Sequence, residues 1–121
     1  MPIRKILVVD DSPVERLALQ EVLGRNGYQV LTAENGEQAI ARSRSDHPDL
    51  ILMDVVMPGM NGYQATRTIS RDDETRDIPI IMCTSKGQET DKIWGMRQGA
   101  LDYLVKPVDH DELLARIRAM G

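Results

Sequence analysis

The sequence is poor in aromatic residues and in cysteine, with no phenylalanine, one tryptophan, three tyrosines and one cysteine among its 121 residues. A single cysteine excludes an internal disulfide and is typical of a protein in a reducing compartment. Cys83 lies in the apolar run 80–83, so we predict that it is a small packing residue. Trp94 stands in the segment predicted to form the fourth helix, where it either packs against the protein or contacts a partner.

Long apolar runs and clusters of basic charge are also absent. No stretch approaches the roughly 18 apolar residues that a membrane span needs. Only the apolar run 6–9 separates Arg4 and Lys5 from the first aspartates, which is too short for the core of a signal peptide. The formal net charge is -4 and the 15 basic residues are scattered, which argues against a nucleic-acid surface. We therefore expect a cytoplasmic protein that contacts neither nucleic acid nor membrane directly.

Short apolar runs alternate with longer amphipathic segments along the chain. Apolar residues make up 41% of the sequence and charged residues 28%, as in a globular protein with a substantial core. We predict one domain over residues 1–121, with no output domain attached. The predicted strands are residues 6–9, 29–33, 50–53, 78–83 and 103–105. Because these runs are apolar at consecutive positions, they indicate parallel strands covered by helices on both faces, and hence an α/β fold of type (βα)5.

Polar residues and glycines mark where the predicted helices begin and end. Ser12 is a good N-cap for the first helix, Pro13 suits the first helical position, and Glu15 would complete a capping box. The predicted starts of the second and fifth helices are 35–38 and 109–112, and the predicted ends of the first and fourth helices are Gly27 and Gly99.

Chemically reactive side chains follow four of the five predicted strands. In a doubly wound sheet, the carboxyl ends of the strands border the crevice where ligands bind. The residues at these ends are Asp10, Asp11, Asp54, Thr84 and Lys106. Each residue alone is commonly a solvated cap or loop residue, whereas their arrival at one face from different strands predicts a functional site.

The residue types at this edge predict phosphoryl chemistry. Three carboxylates at one edge repel one another unless a cation lies among them. Mg²⁺ suits such a site, because it keeps several waters and binds one or two carboxylates together with phosphate oxygens. Asp54, after the central strand, is the natural nucleophile, since a carboxylate can accept a phosphoryl group as an aspartyl phosphate. Thr84 and Lys106 would then offer a hydroxyl and an ammonium to the phosphoryl oxygens.

The residues that carry a family resemblance are Asp10-Asp11, Asp54 with Met57-Pro58-Gly59 and Gly62, Thr84, and Lys106-Pro107. Together they resemble the signature of response-regulator receiver domains of the chemotaxis type, over the whole chain. The resemblance implies a flavodoxin-like doubly wound sheet of strand order 2-1-3-4-5 and a cis peptide bond before Pro107. It also implies that Asp11 binds Mg²⁺ directly and that Asp10 holds it through water. Asp54 and the backbone carbonyl of Val56 would complete the protein's ligands.

The same resemblance implies a signalling switch rather than an enzyme. Receivers take a phosphoryl group from a histidine kinase and support their own phosphotransfer and autodephosphorylation. The hydroxyl at the Thr84 position moves toward the phosphoryl group, and the aromatic at the Tyr103 position turns inward. The face formed by the fourth helix, fifth strand and fifth helix is thereby remodelled. The alternative for Tyr103 is a half-buried strand aromatic with its hydroxyl in water.

Two positions depart from common receiver patterns and predict a tuned phosphate lifetime. Val56 cannot orient an attacking water by hydrogen bonding, and Lys86 adds a cation near the mouth of the site. Our hypothesis is that the aspartyl phosphate hydrolyses more slowly than it would with Asn or Glu at position 56.

A narrower resemblance concerns residues 54–67 and 88–107, which are similar to PilH-type receivers of type IV pilus chemosensory systems. It implies a monomer that controls twitching motility, with a chemotaxis-type kinase upstream and a protein target downstream, such as pilus machinery. A phosphate sink or relay intermediate for a shared kinase is the alternative. Two other classes are disfavoured. An Asp-nucleophile phosphatase typically needs a second Asp where Val56 stands, and residues 10–13 do not form the phosphate loop of a nucleotide or flavin carrier.

Overall fold

A computed structural model describes residues 2–121 of the chain. Strands and helices alternate in the order β1 (Lys5–Val9), α1 (Pro13–Arg25), β2 (Gln29–Ala33), α2 (Gly36–Asp46), β3 (Leu50–Met53), α3 (Gly62–Arg71), β4 (Ile80–Thr84), α4 (Glu89–Gln98), β5 (Asp102–Val105) and α5 (His110–Met120). The five strands form one parallel sheet in the order β2-β1-β3-β4-β5. The predicted fold class and strand order are therefore confirmed.

Consecutive apolar residues in the inner strands feed two separate cores, one on each face of the sheet. Alternate side chains of a strand point to opposite faces. Leu7 and Met53 accordingly lie in a core with residues of α2 and α3, whereas Ile6 and Leu52 lie in a core with residues of α1 and α5. Each fully buried Leu or Ile contributes roughly 1.5–3 kcal/mol by leaving water. This two-sided burial explains why the strands show no polar alternation.

The predicted helix caps are observed at most helix ends. The side chains of Asn35 and Asp109 accept backbone hydrogen bonds at the starts of α2 and α5, and Gly99 ends α4 at φ 115°. Ser12 also caps α1, accepting a hydrogen bond from Glu15 N. The predicted capping box is wrong in its other half, however. Ser12 N donates to the Asp10 carboxylate, and the Glu15 side chain binds Lys106 instead.

The predicted start of the fourth strand was two residues early. β4 begins at Ile80, because Pro79 has no N–H to donate to a strand ladder and instead accepts a hydrogen bond from Ile51 N through its carbonyl. Ile78 is nevertheless buried, in the turn before the strand. Boundaries thus differ where a residue contributes to the core without joining the sheet.

The lone cysteine and the lone tryptophan have opposite environments. Cys83 is buried in β4, as predicted, and burial raises the pKa of its thiol to about 12. Trp94 is 50% exposed on α4, so it does not pack into the core. Within residues 2–121, no helix combines the length and apolar character that crossing a bilayer requires.

Candidate functional site

Backbone hydrogen bonds extend the sheet beyond its strands and fix the positions of three predicted site residues. Asp10 N donates to Ala33 O at 3.1 Å, Asp54 N donates to Val9 O at 3.0 Å, and Lys106 N donates to Thr84 O at 2.8 Å. These bonds place Asp10, Asp54 and Lys106 at one edge of the sheet. The edge is the carboxyl end of every strand, since all five run parallel.

The Lys106 ammonium lies at the centre of a charged cluster. Its Nζ atom is 2.9 Å from Asp10 Oδ2 and 3.3 Å from Asp54 Oδ2, and it also bonds the Glu15 carboxylate. Asp10 and Asp54 are 2% and 6% exposed. Because the two buried carboxylates share one ammonium, the structure holds a charged group directly beside the predicted acceptor.

Glu15 belongs to this cluster although sequence patterns assigned it only to a helix cap. Carboxylate oxygens of Asp10, Glu15 and Asp54 all lie within 4.8 Å of one another. α1 begins only four residues after β1 ends, so its first turn stands over the same edge of the sheet. That short connection is the signal from which the position of Glu15 could have been predicted.

Asp11, the predicted direct metal ligand, is not brought into this group. Its side chain is exposed, while that of the preceding Asp10 is buried. The structure therefore brings together Asp10 and Asp54 of the predicted acidic set. The metal-binding role of Asp11 stays a prediction.

Burial and neighbouring charge set the protonation behaviour of Asp54. Its Oδ1 atom accepts a hydrogen bond from Val55 N at 2.8 Å. Burial raises the pKa of Asp54, and the nearby Asp10 charge acts in the same direction, while Lys106 opposes both. For Lys106, burial alone would lower the pKa, but hydrogen bonds to Glu15 and Asp10 outweigh it and the pKa is raised. Lys106 is thus a permanent cation at this site.

Thr84 and the two residues predicted to tune the phosphate lifetime differ in burial. Thr84 is fully buried at the end of β4, and its Oγ1 atom accepts a hydrogen bond from Lys86 N at 3.3 Å. The Lys86 side chain is exposed, and Val56 is 55% exposed beside the acceptor. The peptide bond between Lys106 and Pro107 is cis.

Tyr103 lies inward in this structure. Its ring is 8% exposed, and its hydroxyl donates to Lys86 O at 2.7 Å. Burial raises the pKa of the Tyr103 hydroxyl, so the group remains a protonated donor. The alternative of a half-buried ring with its hydroxyl in water is not observed.

The donor set fits a hard divalent cation and a phosphoryl group. Clustered carboxylate oxygens are the ligands that Mg²⁺ prefers. Burial raises the pKa of Asp54 and the Asp10 charge acts in the same direction, so further positive charge at this place would favour the ionised carboxylate. A carboxylate next to a permanent cation is an arrangement that suits acyl phosphate chemistry.

Comparison with known sequences gives one family over nearly the whole chain. A sequence model described as the response regulator receiver domain matches residues 6–118. The chain is 56% identical over 116 residues to Protein PilH of Pseudomonas aeruginosa, covering 96% of either sequence.

Comparison with solved structures leads to the same group of proteins. The chemotaxis protein CheY4 of Vibrio cholerae superposes with a TM-score of 0.91 at 32% identity, covering 98% of this chain and 99% of that one. The receiver domain of the sensor histidine kinase PA1611 of Pseudomonas aeruginosa superposes with a TM-score of 0.89 at 34% identity, covering 96% and 95%. In that PA1611 structure, a magnesium ion is coordinated in the active site cleft.

Proposed function

The chain belongs to the response regulator receiver domain family, and from that premise we propose that it is a switch that accepts a phosphoryl group on Asp54 from a histidine kinase. The observation that carries the proposal is the Lys106 ammonium, which bonds both Asp10 and Asp54 at the carboxyl end of the sheet. A buried ion pair adds little to stability, because removing both charges from water costs about as much as their attraction returns. A chemical use is the better explanation of the buried Asp54 carboxylate.

In the proposed transfer, an oxygen of Asp54 attacks the phosphorus of a phosphohistidine. The new P–O bond forms as the P–N bond breaks, and the imidazole leaves with the electron pair. Because Asp54 Oδ1 accepts the hydrogen bond from Val55 N, Oδ2 is the oxygen that faces Lys106 and is the better placed nucleophile. Lys106 and the Thr84 hydroxyl then stabilise the phosphoryl oxygens.

Mg²⁺ is the proposed cofactor, held by Asp10, Asp11, Asp54 and the backbone carbonyl of Val56. When bound, the ion neutralises charge that develops on the phosphoryl oxygens. The proximity of Asp10 to Asp54 supports this assignment, and Glu15 adds a further oxygen donor at the same place. PA1611 supplies a related receiver domain in which magnesium is seen.

The proposed output is a change in the face formed by α4, β5 and α5. Thr84 and Tyr103 are the proposed switch residues, because the buried Thr84 hydroxyl and the inward Tyr103 ring both contact the loop before α4. Such a two-state element is biased by one added anionic group. A downstream protein would read the changed face.

Similarity to PilH supports a more specific proposal, namely a role in the chemosensory control of twitching motility by type IV pili. The upstream partner would be a chemotaxis-type histidine kinase, and the downstream partner would be a protein such as part of the pilus machinery. We propose a cytoplasmic monomer that contacts neither nucleic acid nor membrane. A phosphate sink or relay intermediate for a shared kinase is the second candidate, since it uses the same site chemistry.

Incubation with acetyl phosphate and Mg²⁺, followed by intact mass measurement, tests the phosphoacceptor. We expect one acid-stable, alkali-labile phosphoryl group, its loss in Asp54→Asn, and no formation without Mg²⁺. Asp73→Asn is the matched control, because the Asp73 side chain is 91% exposed in the loop after α3. Consumption of the donor with no phosphoryl group found on the protein, or the same consumption by Asp54→Asn, would contradict the proposal.

A phosphotransfer panel against purified histidine kinases tests the pathway. Partner choice depends on surface complementarity, so the cognate kinase should transfer much faster than the others. Preferential transfer from a chemotaxis-type kinase of a pilus system supports the twitching role. Preferential transfer from an unrelated kinase refutes it while leaving Asp54 as the acceptor.

The lifetime of the aspartyl phosphate is proposed to depend on Val56 and Lys86. The exposed Val56 side chain offers no hydrogen-bond acceptor to an attacking water. Val56→Asn should therefore hydrolyse the aspartyl phosphate several-fold faster than the wild type, as measured by phosphate release after removal of the donor. A hydrolysis rate in Val56→Asn that is equal to or slower than that of the wild type would contradict the proposed role of Val56. Val14→Asn is a control, since Val14 is also an exposed valine.

A further inference from the structure

Two tyrosine hydroxyls from distant parts of the chain meet inside the protein. Tyr63 lies on α3 and Tyr103 on β5, and their hydroxyl oxygens are 3.2 Å apart. Both residues are nearly buried, at 9% and 8% exposure. Tyr63 also contacts α4, because its hydroxyl lies 3.2 Å from Asp91 O. The pair thus joins α3, β5 and α4 through polar contacts.

The donors in this network can be assigned by counting hydrogens. A tyrosine hydroxyl carries one hydrogen. The Tyr103 hydrogen is committed to Lys86 O, the shortest contact in the network at 2.7 Å. Tyr103 must then accept from Tyr63, whose single hydrogen is shared between Tyr103 and the carbonyl of Asp91. The inward position of Tyr103 therefore receives direct support from a side chain of α3.

α3 is itself tied to the acceptor loop. Gly62, the residue before Tyr63, donates from its N to Val55 O at 2.9 Å. A Cβ atom at Gly62 would come within 1.9 Å of the Asp54 carbonyl oxygen, so the helix start and the acceptor backbone are in direct contact. A displacement of the Asp54 backbone would consequently be transmitted to Tyr63.

A glycine of α4 makes room for the inward ring. A Cβ atom at Gly95 would lie 2.9 Å from Cε2 of Tyr103, closer than real Cβ contacts allow. Gly95 is the one buried residue of α4, and the exposed Trp94 precedes it. The position of α4 against the sheet thus depends on where the Tyr103 ring lies.

We propose that Tyr63 is a positioning residue that holds Tyr103 inward and couples this orientation to the acceptor loop through α3. This route is separate from the one through Thr84. The inference rests on the proposed function in one respect, since it takes Tyr103 to be a switch residue. It adds a second connection between the acceptor and the α4 face, made by a side chain that the receiver signature does not include.

The test is Tyr63→Phe, which keeps the ring and removes the hydroxyl. Tyr28→Phe is the matched control, because Tyr28 is the remaining tyrosine of the chain and packs against the core on the other face of the sheet. Fluorotyrosine labelling gives a separate ¹⁹F NMR signal for each tyrosine, assigned by its loss in each variant. Broadening by a neutral gadolinium chelate then measures how far Tyr103 is exposed to solvent.

In Tyr63→Phe, without any phosphoryl donor, we expect the ratio of outward to inward Tyr103 to rise about three- to tenfold, which corresponds to one lost hydrogen bond. Tyr28→Phe should leave the ratio unchanged. The concentration of acetyl phosphate that half-saturates the Trp94 fluorescence change, at fixed Mg²⁺, should rise by a similar factor in Tyr63→Phe alone. An unchanged Tyr103 signal in Tyr63→Phe would overturn the proposal and leave Tyr63 as a packing residue.

Gly95→Ala provides a second, independent variant. The added methyl group overlaps the inward ring, so it should drive Tyr103 outward even with Tyr63 intact. An inward Tyr103 in folded Gly95→Ala, with α4 in its wild-type position, would contradict the proposed dependence of α4 on the ring. Failure of the proposed function would be recognised differently. The acetyl phosphate response would then be flat in every variant, while the donor-free ¹⁹F measurement would still decide the role of Tyr63.

Discussion

At the scale of single residues, the central feature is an imbalance of charge. One ammonium, that of Lys106, faces carboxylates of Asp10, Glu15 and Asp54. Burial raises the pKa of Asp54 despite the neighbouring cation. The folded protein therefore holds the Asp54 carboxylate in a less favourable state than the unfolded chain does, as expected of a group kept for chemistry rather than for stability.

Asp54→Asn should raise the free energy of unfolding at neutral pH, because it removes this unfavourable charge and leaves Lys106 paired with Asp10 and Glu15. The folded pKa lies above the unfolded value, so the stability that protonation supplies is complete below about pH 4 and is lost as pH rises through the folded pKa. The increase in the free energy of unfolding caused by Asp54→Asn should accordingly be absent below pH 4 and appear above it.

Urea unfolding at pH 7 and at pH 3.5 measures this difference directly. Asp73→Asn, at an exposed loop position, should change the free energy of unfolding little at either pH. A gain from Asp54→Asn that is equal at both values, or a loss at pH 7, would show that the Asp54 charge is not the cause.

Sequence patterns located the residues of the site that follow strands. Asp10, Asp54, Thr84 and Lys106 could be placed at one edge because parallel strands must end there together. Glu15 was missed because a helix cap explained it equally well, although the short connection between β1 and α1 would have placed it over the same edge. Asp10 is buried beside Asp54, whereas Asp11 is exposed, and the metal-binding role of Asp11 stays a prediction.

At the scale of the elements, the start of α3 is the most tightly constrained point. Gly62 packs directly against the backbone of Asp54 and Val55. Gly62→Ala should lower the free energy of unfolding by about 3 kcal/mol or more, because the methyl group meets backbone atoms that cannot move independently. Urea unfolding measures the loss.

Gly24→Ala is the matched control for that substitution. Gly24 lies in α1, and a Cβ atom there would meet nothing within 4 Å. Alanine should stabilise a helix at such a position by about 0.5–1 kcal/mol. A small effect of Gly62→Ala, comparable in size to that of Gly24→Ala, would mean that the acceptor loop is not packed as described.

Local signals predicted the elements well and their contacts poorly. The caps at Asn35 and Asp109 are decided within one helical turn, so a short stretch of sequence suffices to find them. The pairing of Tyr63 with Tyr103 joins residues 40 positions apart, and no local pattern announces it. The predicted start of β4 was wrong for a related reason. Ile78 is apolar because it is buried in the core, although it does not belong to the strand.

At the scale of the whole molecule, Mg²⁺ should stabilise the folded state. An ion that binds the folded site and not the unfolded chain, present at ten times its dissociation constant, adds about 1.4 kcal/mol. For a domain of this size, the melting temperature should rise by about 3–6 °C. Differential scanning calorimetry with MgCl₂, against KCl at equal ionic strength, measures the increase.

Asp10→Asn should abolish most of the Mg²⁺-dependent increase in melting temperature, whereas Asp73→Asn should retain that increase. Asp10 is buried beside Asp54, whereas the Asp73 side chain is 91% exposed in a loop. An increase of the same size in Asp10→Asn would place the ion elsewhere on the protein.

The whole fold was predictable because each apolar run is bounded by residues that end it. Consecutive apolar residues require cover on both faces, and the intervening segments are long enough for the crossover helices that parallel strands need. The order β2-β1-β3-β4-β5 came from the family signature rather than from the alternation, since several orders satisfy the same pattern.

Cys83 gives the molecule an internal reporter of its own opening. As the sole thiol of the sequence, enclosed in the fourth strand, it is out of reach of an alkylating reagent while the sheet is intact. The rate of alkylation by a slowly reacting reagent therefore measures the fraction of molecules in which β4 is accessible. The alkylation rate of Cys83 can be measured with and without a phosphoryl donor, with no label added to the protein.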